Sequence, residues 1–121
     1  MAKKILVVED EILLLEMMKD RLKFKGYEVL IADNGKDGAF KAISEGPDLI
    51  IADLLMPEID GMQMIKIIRS DSNLKKVPII VISALGRDED VEKAIAAGAN
   101  DYIVKPYSVD DLMKKIEGFL K

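Results

Sequence analysis

Short runs of branched apolar residues, each followed by a stretch with helical spacing, constrain this chain more than any other feature. Ile79-Ile80-Val81-Ile82 is the strongest run and Ile5-Leu6-Val7-Val8 the first. Glu28 to Ala32, Leu49 to Ala52 and Tyr102 to Val104 read as three more. A strand apolar at consecutive positions buries both faces, which suits a parallel sheet covered by helices on each side. Between the runs, apolar residues recur at intervals of three and four. Leu14, Leu15, Met18 and Leu22 form one stripe, stopped at Gly26. Ala39, Ala42 and Ile43 form a second, closed by Gly46-Pro47, and Met62, Ile65 and Ile68 a third. Val91, Ala94 and Ile95 form a fourth, ended by Gly98. Val109, Leu112, Met113, Ile116 and Leu120 form the last, opened by a Ser108–Asp111 capping pair. Strand–helix units with short connections predict an open parallel α/β sheet wound on both faces. Right-handed crossovers narrow the topology without fixing strand order.

At 121 residues the chain is expected to form one domain, residues 1–121. A net charge of −4 gives no general argument for nucleic acid or an anionic membrane, so neither is expected to bind this domain directly. With no cysteine there is no disulfide, zinc–thiolate site or thiol nucleophile. With no histidine, the usual general base and the commonest transition-metal ligand are missing too. The apolar runs are far short of a membrane span, and Met1-Ala2-Lys3-Lys4 is not followed by a signal-peptide core. The expected location is cytoplasmic. The methionines mostly fall in the apolar stripes, where they read as core.

In such sheets ligands bind beyond the carboxyl ends of the strands. The first strand delivers Glu9-Asp10-Glu11 there, the third Asp53, the fourth Ser83-Ala84 and the fifth Lys105-Pro106. Each has an ordinary explanation alone. Asp10 or Glu11 can favour a helix start, Asp53 can cap a turn leading into Pro57, Ser83 can be a loop hydroxyl and Lys105 a solvated charge. Their joint placement is what points to chemistry. Three carboxylates in one crevice repel by about 4 kcal/mol per pair at about 4 Å and an effective dielectric of about 20, so cations or raised pKa values must offset them. Magnesium suits oxygen ligands of this kind, with Glu9 and Asp10 holding it and Asp53 serving as both ligand and nucleophile. A carboxylate attacking a phosphoryl group needs no general base. Lys105 would neutralise the transferring oxygens and Ser83 would donate to one of them. No glycine loop to cradle ATP phosphates is present, so the donor is a partner or a small phosphodonor.

The pieces ILVVEDE (Ile5 to Glu11), PDLIIADLLMPEIDG (Pro47 to Gly61), PIIVISA (Pro78 to Ala84) and GANDYIVKP (Gly98 to Pro106) occur in order along nearly the whole chain. In this it resembles the receiver domain of bacterial response regulators, a chemotaxis-regulator-like, flavodoxin-like three-layer fold of two-component signalling. The resemblance implies a five-stranded parallel sheet in the order 2-1-3-4-5 with five helices. It implies that Asp53 accepts a phosphoryl group from a sensor histidine kinase or histidine phosphotransfer protein. Glu9 and Asp10 match the acidic pair at a Mg2+ site, which Mn2+ can also fill, and the Leu55 carbonyl matches its backbone ligand. Lys105 matches the lysine that contacts the phosphoryl group. Ser83, where threonine is more frequent, and Tyr102 match a switch pair that reshapes the face of the fourth helix, fifth strand and fifth helix. The Lys105–Pro106 bond is expected to be cis. A receiver is not an enzyme in the conventional sense, although it assists its own Mg-dependent phosphorylation and dephosphorylation.

Three other functions compete, one of them a flavodoxin-like cofactor-binding module, whose phosphate loop after the first strand would meet the repelling Glu9-Asp10-Glu11 unless a cation intervened. A Mg-dependent phosphohydrolase with an aspartyl-phosphate intermediate commonly needs an acid two residues after the nucleophile, where this chain has Leu55. A pseudo-receiver that only binds protein has no need of every reactive position. The cognate kinase, the downstream target or fused effector, and a monomeric or phosphorylation-dependent dimeric state are not written in the sequence.

Overall fold

The computed structural model describes residues 2–56 and 59–121. Among these, strands and helices alternate: β1 (Lys4–Val8), α1 (Ile12–Phe24), β2 (Glu28–Ala32), α2 (Gly35–Glu45), β3 (Leu49–Asp53), α3 (Gly61–Ser70), β4 (Ile79–Ser83), α4 (Asp88–Ala97), β5 (Asp101–Val104) and α5 (Val109–Phe119). A 3-10 turn, Ser72–Leu74, follows α3. All strand pairs are parallel and the order is β2-β1-β3-β4-β5. Pro57, within the second motif, lies outside the described residues.

Alternation along the strands sorts the core into two layers. Leu6, Val8, Ile50, Ala52, Ile79 and Val81 face Ala39 and Ala42 of α2, Met64, Ile65 and Ile68 of α3, and Ala94 of α4. Ile5, Val7, Leu49, Ile51, Ile80 and Ile82 face Leu15 and Leu22 of α1 and Leu112, Met113 and Ile116 of α5. Central strands β3 and β4 are buried at every position, which explains their unbroken apolar runs.

Several details differ from the expected boundaries. Asp53 and Ser83 are the last residues of their strands, because Asp53 still pairs with Ile82 and Ser83 with Val104. In α1, Leu15 and Leu22 are buried while Leu14 is 39% exposed. Ile43 and Ile95 are exposed at the edges of their stripes, and Leu120 is the cap residue just past the end of α5. The Ser108 side chain accepts the Asp111 N–H at 3.3 Å, as the capping pair predicts. No helix among the described residues is long and apolar enough to cross a membrane.

Candidate functional site

Glu9 follows β1, Asp53 ends β3 and Lys105 follows β5, and alternation turns all three toward the α1–α5 side of the sheet. They meet. Lys105 Nζ donates to Asp53 Oδ2 at 2.7 Å and to Glu9 Oε1 at 3.1 Å. The second oxygen of each carboxylate is held by the backbone two residues on. The Leu55 N–H donates to Asp53 Oδ1 at 2.9 Å and the Glu11 N–H to Glu9 Oε2 at 3.2 Å. Ser83 repeats the device, its Oγ accepting the Leu85 N–H at 3.2 Å. Three side chains at neighbouring strand ends thus anchor the first residues of three loops. The Lys105 N–H in turn donates to the Ser83 carbonyl at 2.8 Å, fixing the root of the lysine. The Lys105–Pro106 peptide is cis.

Burial makes these contacts count. Asp53 is 7% exposed and Glu9 8%. Burial draws the Lys105 ammonium down, but hydrogen bonds to Asp53 and Glu9 outweigh it and push its pKa up to about 12. Burial raises Glu9 above the ordinary carboxylate value, partly offset by the Glu11 amide and Lys105. The crevice is therefore organised around an ammonium with a carboxylate on either side.

The three-carboxylate cluster expected from the sequence is only partly assembled. Asp10 is exposed, and no group of three carboxylates with metal-holding geometry occurs among the described residues. The donor set nevertheless fits a hard divalent cation. A cation, the Lys105 ammonium, already bridges Glu9 and Asp53, and every side-chain donor is a carboxylate oxygen.

Ser83 and Tyr102 form a separate constellation. Ser83 is fully buried and, one position from Ile82, points to the opposite side of the sheet, where Tyr102 packs. The Tyr102 hydroxyl donates to the Leu85 carbonyl, in the loop that leads into α4. The sequence reading missed Gly61. A Cβ there would come within 2.6 Å of both the Asp53 carbonyl oxygen and the Leu54 Cα, so only glycine lets α3 start against the acceptor strand. The DG pair ending the second motif was its signal: Asp60 accepts the Gln63 N–H at 2.9 Å and caps the same helix.

Comparison with known proteins places the chain in a family. The sequence model of the response regulator receiver domain matches residues 5–117. A probable transcriptional regulator, ycf27, of Cyanophora paradoxa is 38% identical over 98% of this chain and 48% of its own length. The chain thus spans about half the length of the curated relative. Chemotaxis protein CheY4 of Vibrio cholerae superposes with a TM-score of 0.93 at 31% identity, covering 98% of this chain and 99% of that one. The receiver domain of sensor histidine kinase PA1611 of Pseudomonas aeruginosa, described with magnesium in its active-site cleft, superposes at 0.91 with 29% identity, covering 99% and 98%. Sheet order, strand-end site and sequence agree: this chain belongs to the response regulator receiver domain family, whose members are phosphorylation-activated regulators of two-component signalling rather than conventional enzymes.

Proposed function

We propose that Asp53 is the phosphoacceptor of this receiver. The observation that carries the proposal is that its carboxylate, at the end of a central strand, is aimed by Lys105 on one oxygen and by the Leu55 amide on the other. One Asp53 oxygen attacks the phosphorus of a phosphohistidine carried by a sensor kinase or phosphotransfer protein. The P–N bond breaks, the imidazole leaves with its electron pair, and an acyl phosphate forms. Lys105 neutralises the charge gathering on the phosphoryl oxygens. Glu9, Asp10, Asp53 and the Leu55 carbonyl would hold Mg2+, or Mn2+ in its place, and the bound ion would supply further charge neutralisation. Hydrolysis of the acyl phosphate resets the domain.

Ser83 and Tyr102 couple the acceptor to the outer face. A phosphoryl group that draws Ser83 toward Asp53 frees the Leu85–Tyr102 contact to rearrange, and α4, β5 and α5 carry the change to a downstream partner. Moving such a balance from 1:99 to 99:1 takes about 5.5 kcal/mol of differential interaction. If Tyr102→Phe and Tyr102→Ala both leave phosphorylation-dependent partner binding unchanged, Tyr102 has no part in the switch.

Intact mass after incubation with acetyl phosphate, with and without magnesium, tests the acceptor. One magnesium-dependent phosphoryl adduct is expected on the wild type and none on Asp53→Asn. An adduct retained by the variant would place the acceptor elsewhere.

A further inference from the structure

Between α1 and α5, directly beneath the ion-paired cluster, lies a cavity of about 450 Å3. Leu14 and Met18 of α1, Ile51 and Ile82 of the sheet, Tyr107, and Val109 of α5 line it, and Glu9, Asp53 and Lys105 form its polar end. Its presence accounts for Leu14, which faces this gap and stays 39% exposed. The volume falls within the range of roughly 300–1,000 Å3 typical of small-molecule sites.

The chemistry of the walls selects the occupant. Apart from the polar end, the lining is almost wholly apolar. At that end the charges satisfy one another, since Lys105 Nζ is already bonded to both Glu9 and Asp53. A charged guest would have to shed water and break one of these contacts to find a partner, whereas an uncharged one need not. Two wall residues favour a ring. Met18 offers an adaptable thioether, which packs well against aromatic edges, and Tyr107 a half-buried aromatic face.

We propose that the α1–α5 cavity is a binding site for a small uncharged aromatic molecule, lying against Met18 and Tyr107 with Ile51 and Ile82 beneath it. Because Asp53 and Lys105 belong to its wall, occupancy and phosphorylation are linked reciprocally. That linkage rests on the receiver reading, but the binding itself does not.

The test is a titration of the full chain, labelled at methionine methyl groups and with magnesium present, using indole, tryptamine and indole-3-acetate, which share a ring and differ in charge. A saturable shift of the Met18 methyl is expected with indole, at about tenfold lower concentration than with either charged analogue. Met17, 64% exposed and not among the lining residues, is the internal control and should barely move. Leu14→Phe and Val109→Phe, two independent ways of filling the space, should each weaken indole binding about tenfold while acetyl phosphate still labels Asp53. The proposal is overturned if Met18 does not shift, if Met17 shifts in parallel, if a charged analogue binds as tightly, or if both filled variants bind indole unchanged. In the wild type, absence of indole binding with labelling intact removes this proposal alone, whereas absence of labelling with indole binding intact removes the receiver reading alone.

Discussion

Lys105 holds two carboxylates that would otherwise repel. Replacing it with methionine leaves Asp53 and Glu9 facing each other without a cation. Breaking a fully buried pair costs about 3–5 kcal/mol, but the Lys105 side chain is 23% exposed, so a loss of about 1–2 kcal/mol at neutral pH is expected. Urea unfolding checks this, and Glu9→Gln added to Lys105→Met should recover part of the loss. The sign of the pH dependence follows from the raised pKa. The stability contributed by Lys105 is fully present below its ordinary value of 10.5 and is lost as pH rises through about 12. Glu9 is raised as well, so its contribution is greatest below the ordinary 4.5 and declines as pH climbs through its folded-state value. A carboxyl-carbon NMR titration should place the Glu9 midpoint above 4.5, and higher still in Lys105→Met, where the ammonium no longer favours the ionised form. Midpoints that coincide in the two proteins would show that Lys105 does not govern Glu9.

Among the elements, the start of α3 bears most directly on the acceptor. Gly61 touches the backbone of Asp53 and Leu54, and its N–H donates to the Leu54 carbonyl at 3.0 Å. Gly61→Ala is expected to cost about 2 kcal/mol or more, because the Asp53 and Leu54 backbone in the way of a Cβ must shift, and to slow acetyl phosphate labelling of Asp53. Asp60→Ala, which removes only the cap, should cost about 1 kcal/mol and leave the labelling rate nearly unchanged. Equal labelling rates in the two variants would separate the glycine from the acceptor's geometry. The order and type of these elements were legible because buried parallel strands and amphipathic helices carry different periods. The division of the site was less so. Which side of the sheet Ser83 or Asp53 faces depends on strand register and on which helices cover each side, both long-range properties. Leu14 shows the same limit, since spacing marks an apolar stripe without revealing that one member borders a cavity.

Across the whole molecule, Arg69 joins parts that local pattern does not connect. Its guanidinium donates to the Gly98 carbonyl at 3.0 and 2.8 Å, to the Leu74 carbonyl at 2.7 Å and to Asn100 Oδ1 at 2.8 Å. Asn100 Oδ1 also accepts the N–H of Ile79, so one side chain ties the end of α3 to the α4–β5 turn and the first residue of β4. Gly98, at φ +126°, makes room: a Cβ there would lie 2.7 Å from Arg69 Cγ. Arg69→Met is expected to cost about 2–3 kcal/mol by leaving carbonyls without their charged donor. Arg69→Lys should recover only part, because a point charge cannot span the same acceptors. A shift in the urea midpoint at constant slope would show that the tie stabilises the domain as one unit. A steeper or shallower slope would instead signal a change in cooperativity.

The parallel sheet also determines where anything can be attached. β1 begins at the end of the sheet opposite Asp53, and α5 runs back to that same end, where burial first and then the charge of Glu117 in its last turn raise the pKa of Tyr27 beside the start of β2. Leu120 packs there against the layer that contains Ile5. Both ends of the described chain therefore emerge far from the acceptor. A fluorophore, affinity handle or fused module at either end should leave Asp53 open to its phosphodonor, and a short peptide bridge between the ends would suit circular permutation.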